Sequence, residues 1–236
     1  MLQIKNLTKV FPDGTVALRD VSFDVHDGEF LAIIGLSGSG KSTLLRCINR
    51  LIEPTSGTIL WDGVDVTAAN SAELRQIRRQ IGMIFQHFNL VRRSSVMTNV
   101  LAGRLGYVHP FWSLMGRFSA DDRRRATAAL TRVGIARALM QEPRLLLADE
   151  PVASLDPVLS HSILRYLELL NQQDHITVLC SLHFLDLVHR YATRVVGLKD
   201  GQLVFDGLPS ELTPQKFKEV YGEEAEMVSV GPAHAA

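Results

Sequence analysis

The stretch "EFLAIIGLSGSGKSTLLRCINRL", residues 29–51, constrains this chain more tightly than any other. An unbroken apolar run that stops at a glycine reads as a strand buried on both faces, and "KSTLLRCINRL" then takes up helical spacing. Between them, Gly35 to Ser42 match G-x-x-x-x-G-K-[ST] in strand-to-helix context. Gly35, Gly38 and Gly40 allow the backbone to wrap so that its N–H groups point at phosphate oxygens, and the helix adds its positive end. Lys41 supplies a point charge for the β and γ phosphates, and the Ser42 hydroxyl is placed to ligate Mg²⁺. Leu36, Ser37, Ser39 and Thr43 complete the candidate nucleotide-binding set. A plain glycine turn would not need Lys and Ser in this register.

A loop of this kind requires a parallel sheet behind it, and two more apolar runs supply strands, "RLLLADE" (144–150) and "ITVLCSLH" (176–183). Ahead of the loop, "LQIKNLTKVF" and "TVALRDVSFDV" alternate as half-buried strands, with Asp-Gly pairs at 13–14, 27–28, 62–63 and 200–201 as turns. The expected fold is α/β: a P-loop nucleotide hydrolase core with an N-terminal antiparallel β region and a helical subdomain over about 71–134. It forms one domain over 1–236, with a loose tail at 229–236.

The 236 residues, 46% of them hydrophobic, suffice for a large core, and 25 basic residues balance 25 acidic ones. That balance provides no long-range field for nucleic acid. No secretory signal or membrane span is visible, so any membrane role is expected to be peripheral. Cys47 and Cys180 read as small core residues of a reduced protein.

Asp149 and Glu150 follow a buried strand. Alone, the pair could be a helix-capping turn. Beside a phosphate loop, Asp149 becomes a candidate Mg²⁺ ligand and Glu150 a group that polarises water. With these motifs in place, the chain resembles the ATPase subunit of an ABC transporter over essentially its whole length. The resemblance implies that Phe11 stacks on adenine, against the alternative of a core aromatic. It implies that Gln86 senses the metal and the nucleophilic water, and that "SLDP" (154–157) crosses a dimer interface. It also implies that His183 reaches the γ phosphate, so that Glu150, His183 and Gln86 are the catalytic set and Ser42, Gln86 and Asp149 the metal set.

"NVLAGRLGY" (99–107), "FWSLMGRFSADDRRRATAALTRVG" (111–134) and "GLPSELTPQKFKEVYGEEA" (207–225) are similar to the ATPases of bacterial phosphonate importers. The implied cofactors are ATP and Mg²⁺. The implied partners are a second ATPase subunit, transmembrane permease subunits and, indirectly, a periplasmic phosphonate-binding protein. The implied location is the cytoplasmic face of the bacterial inner membrane. A solitary P-loop kinase would need an acceptor site, and none is visible.

One departure stands out: the family's "LSGGQ" signature is absent, and its expected place holds "RATAA" (125–129). Here "TRVG" (131–134) meets "IARAL" (135–139) directly, as though about twenty residues, more than an ordinary connection, were missing. Helical phase agrees. Ala126, Leu130 and Val133 fall on one face while Ile135, Ala138 and Leu139 fall on nearly the opposite one, so a bend at Gly134 or an exposed apolar face is expected. Ser119 is the expected cap of the first helix. A natural short linker is the alternative. The signature would offer donors to the γ phosphate across a head-to-tail dimer, so its loss predicts intact binding with impaired closure. The rival function is an ATP-binding, hydrolytically incompetent interaction subunit.

Overall fold

The computed structural model describes residues 1–86, 91, 93–107, 118–129, 133–153 and 155–222. Strands β1 (Leu2–Val10), β2 (Val16–Val25), β4 (Ser56–Trp61) and β5 (Val64–Asp65) form an antiparallel sheet in the order β2-β1-β4-β5. A second sheet runs β10-β9-β3-β8-β7-β6, from β3 (Phe30–Ile34), β6 (Ile81–Ile84), β7 (Leu145–Ala148), β8 (Thr177–Ser181), β9 (Arg194–Lys199) and β10 (Gln202–Gly207). All its pairings are parallel except that of β10 with β9. The four Asp-Gly pairs are turns whose glycines all have positive φ.

The apolar runs are strands because both of their faces are covered. In β3, Phe30, Ala32 and Ile34 face one core while Leu31 and Ile33 face the other, and β7 divides Leu146 and Ala148 from Leu145 and Leu147 in the same way. Helix α1 (Lys41–Ile48) lies between the two sheets, burying Leu44, Leu45, Cys47 and Ile48 against both. The opposite face of the parallel sheet is covered by α6 (Pro157–Asp174), α7 (Leu185–Tyr191) and α8 (Pro214–Tyr221). Each large aliphatic side chain so enclosed stabilises the fold by about 1.5–3 kcal/mol. Both cysteines are buried, and burial pushes the Cys47 thiol up to about 12.

The segment 71–134 is less uniform than its composition suggests. Helix α2 (Ser71–Gln80), closed by an Asn70–Glu73 capping box, leads straight into β6, which belongs to the main sheet. Helices α3 (Val96–Leu101) and α4 (Ala120–Ala129) follow, then α5 (Val133–Leu139). Ser119 caps α4 as expected, its Oγ accepting from the Asp122 N–H at 3.0 Å. Residues 130–132 lie outside the described residues, and Gly134, where the phase change predicts a bend, lies inside α5. Helix α5 is held on two sides: Ile135 and Ala138 join the core under the sheet, while Ala136 joins Ala126, Val100 and Leu101 in a small core of its own. Leu130 and the tail 229–236 lie outside the described residues.

Candidate functional site

The phosphate loop is braced by strands from both sheets. A Cβ on Gly35 would stand 2.2 Å from the Leu198 carbonyl, and one on Gly40 would stand 2.4 Å from that of Ala17. Both glycines have positive φ, so no other residue fits either position without moving a strand. Between them, Leu36, Ser37 and Gly38 form the exposed rim, and Ser39 is buried with its Oγ unpartnered. Lys41 and Ser42 open α1, followed by the half-buried Thr43. Lys41 is buried, and its Nζ donates to the carbonyls of Gly35 and Leu36, each at 2.8 Å. Two of its three protons are thereby used and one remains for a ligand. Burial lowers its pKa, opposed by the charges of Glu150 and Asp149.

Asp149 leaves β7 almost fully buried. Ser42 Oγ donates to its Oδ1 at 2.7 Å, and Arg46 Nη2 donates to its Oδ2 at 3.2 Å. Glu150 has a left-handed backbone, φ 49°, which is uncommon for a residue with a side chain and concentrates at functional sites. Three groups hold it there. Its N–H donates to Ser181 Oγ at 2.8 Å, Gln86 Nε2 donates to its Oε2 at 3.0 Å, and His183 Nε2 lies 2.6 Å from its Oε1. The structure thus brings Lys41, Ser42, Asp149, Glu150, Gln86 and His183 together at the ends of β3, β6, β7 and β8. His183 is engaged with Glu150 rather than standing alone.

Phe11 sits at the turn between β1 and β2, where its N–H donates to the Thr15 carbonyl at 2.9 Å. Its ring lies 5.2 Å from the Lys9 ammonium, and it is half-buried and belongs to no core cluster. The core alternative is therefore not the one the fold uses. In "SLDP", Asp156 caps α6, accepting from the Leu159 N–H at 2.9 Å, and Ser154 lies outside the described residues. The oxygens of Ser42, Asp149 and Gln86 are hard donors suited to Mg²⁺. Among the described residues there is no group of three His, Cys, Asp or Glu placed to hold a metal ion.

Arg46 and Ser181 were not singled out by the sequence. Arg46 was within reach, since it lies one helical turn after Ser42 on the same face of α1. Ser181 was not, because it meets Glu150 only through the pairing of β8 with β7.

A parallel sheet with this loop and this acid pair defines a P-loop nucleotide-binding ATPase. The ABC transporter family profile matches residues 18–153. The phosphonates import ATP-binding protein PhnC of Bdellovibrio bacteriovorus is 50% identical over 97% of this chain and 96% of its own length. That of Staphylococcus aureus is 47% identical over 94% of each. Among solved structures, the ATP-binding cassette MJ0796, dimeric with ADP and Pi, superposes with TM-score 0.76 at 32% identity, covering 89% of this chain and 99% of its own. MJ1267, in its ADP conformation, gives 0.79 at 28%, over 93% and 97%. The chain belongs to the ABC transporter family, as its ATP-binding domain. The Bdellovibrio alignment runs over 251 positions although the chain has 236 residues, so that relative carries residues with no counterpart here.

Proposed function

We propose that the chain is the energy-coupling subunit of a phosphonate importer, hydrolysing ATP at the cytoplasmic face of the bacterial inner membrane. The triple hold on Glu150 beside the Ser42–Asp149 pair carries the hydrolysis, because a carboxylate fixed next to a metal site can orient and polarise one water, while the phosphonate rests on the likeness to PhnC. Lys41 and the N–H groups of residues 35–43 take the β and γ phosphates, and Phe11 stacks on adenine. Ser42, Asp149 and Gln86 would hold Mg²⁺, which would supply neutralisation of phosphate charge. His183 passes from Glu150 to the γ phosphate.

Permease subunits hold the chain at the membrane, and a periplasmic binding protein supplies them with phosphonate. No helix among the described residues is long and apolar enough to cross a membrane. A second copy closes the site head to tail. The absence of "LSGGQ" is the sequence observation behind a second reading, in which ATP binds with little turnover and a segment is missing between Gly134 and Ile135.

The test is reconstitution with the permease partners in liposomes, following ATP hydrolysis and uptake of labelled methylphosphonate together. Glu150→Gln should stop both while ATP still binds. Hydrolysis unaffected by that change overturns the role of Glu150; hydrolysis without uptake, in a chain given the signature segment, overturns the substrate.

A further inference from the structure

Helix α2 carries Arg75, Arg78 and Arg79, spaced to share one flank. They line a cavity of about 320 Å³ between α2, the short 3₁₀ turn Ala102–Gly106 and Gln141, just beyond α5, and no acidic side chain among the described residues lines it. In a chain with balanced charge this excess is local. Nearby arginines are neutralised: Arg104 pairs with Asp122 at 2.8 Å and Arg50 with Glu53 at 2.8 Å. Arg75, Arg78 and Arg79 have no carboxylate partner among the described residues. Arg78 gives its Nε to the Asn49 carbonyl at 2.9 Å and its Nη2 to the Arg50 carbonyl at 2.7 Å, which positions its charge without cancelling it. The Arg79 guanidinium lies over the Tyr107 ring at 5.1 Å, with its Nε buried and unpartnered. Tyr107 is fixed in turn, its Oη donating to the Gln141 carbonyl at 2.6 Å.

Like charges at this spacing oppose one another, and the partial burial of Arg78 and Arg79 adds to the penalty, while Arg75 is exposed. Burial, then the neighbouring charge of Arg50, depresses the pKa of Arg78. Glu53 offsets part of this from a distance, and a bound anion would offset the like-charge repulsion directly. Guanidinium forks match tetrahedral oxyanions, and the volume is at the small end for ligand sites.

We propose that this cavity is a second anion site, apart from the phosphate loop, which takes a tetrahedral oxyanion of the phosphate or phosphonate class through Arg75, Arg78 and Arg79. The oxyanion can come free from solution or from a lipid headgroup. Arg78 ties the site to the end of α1, the helix that begins at Lys41.

The test uses the full chain carrying Lys41→Ala, so that the phosphate loop contributes little, titrated calorimetrically with inorganic phosphate and with methylphosphonate. Binding is expected, and adding Arg75→Gln and Arg79→Gln should weaken it about tenfold or more, the scale of one lost charge-assisted bond. Arg79→Lys keeps the charge but loses the fork, so it should weaken binding less. Circular dichroism checks that each variant is folded. Flotation with phosphatidylglycerol or phosphatidylcholine vesicles identifies a lipid source; attachment to the former supports the site only if Arg79→Lys also weakens it, since diffuse attraction survives that exchange. Absence of any such binding, or binding indifferent to the arginine substitutions, overturns the proposal.

Discussion

Replacing Ser181 with alanine isolates the support beneath Glu150. Ser181 is fully buried, its Oγ accepting the Glu150 N–H at 2.8 Å and reaching the Ala148 carbonyl only at 3.5 Å. The longer contact is at the limit of a hydrogen bond and contributes little. Alanine would leave the Glu150 N–H without its acceptor, on a backbone already at φ 49°. An orphaned partner of this kind costs about 1–3 kcal/mol. For a chain of this size each kcal/mol lowers Tm by about 2–4 °C, which differential scanning calorimetry resolves. Turnover should also fall, by about ten- to a hundredfold, since a displacement near 1 Å has effects on that scale. ATP affinity should hold, because Ser181 hydrogen-bonds to neither Lys41 nor the loop glycines. A variant that melts with the parent and turns over at the parent's rate would falsify the idea that Ser181 positions Glu150.

Three other outcomes are expected. Lys41→Ala should weaken Mg·ATP binding by removing the charge buried beneath the loop; unchanged affinity in calorimetry would detach the loop from the nucleotide. Inserting a segment containing "LSGGQ" between Gly134 and Ile135 should raise steady-state ATPase activity at least about a hundredfold, the effect of restoring a preorganised donor. Equal turnover with and without it would show that the chain works as it stands. Asp122 is held below the usual carboxyl range: burial pushes it up, but hydrogen bonds from Ser119 and the Arg104 guanidinium outweigh burial. A depressed carboxyl stabilises the fold above its unfolded value of about 3.9, and that contribution is lost as pH falls through the lower folded value. Asp122→Asn should therefore flatten the stability profile below about pH 4, and a variant with an identical acid limb would rule this out.

The fit between expectation and structure follows contiguity. The strand, loop and helix from Phe30 to Ile48 are a single continuous stretch, and all three were readable because glycine placement and apolar runs are local properties. The phase change between Ala126 and Ile135 was also readable as a conflict, though not its resolution: Gly134 stays helical because the cores on both sides of α5 hold it there. Strand β6 was hidden inside a charged, helix-rich region, since only its pairing with β7 marks it as part of the sheet.

By itself, the sequence determined the phosphate loop, the buried strands, the acid pair and the absence of "LSGGQ", all of which are carried by adjacent residues. Tertiary structure alone decided which groups hold that pair. Arg46 reaches Asp149 across 103 positions of chain, and Gln86 reaches Glu150 across 64. Such contacts depend on strand order, and strand order is set by which faces bury together, a property of the whole chain rather than of any segment. The arginine-lined cavity has the same origin. Its charges lie on one helix, but the concavity exists because Tyr107 and Gln141 close it from elements 28 to 66 residues further along.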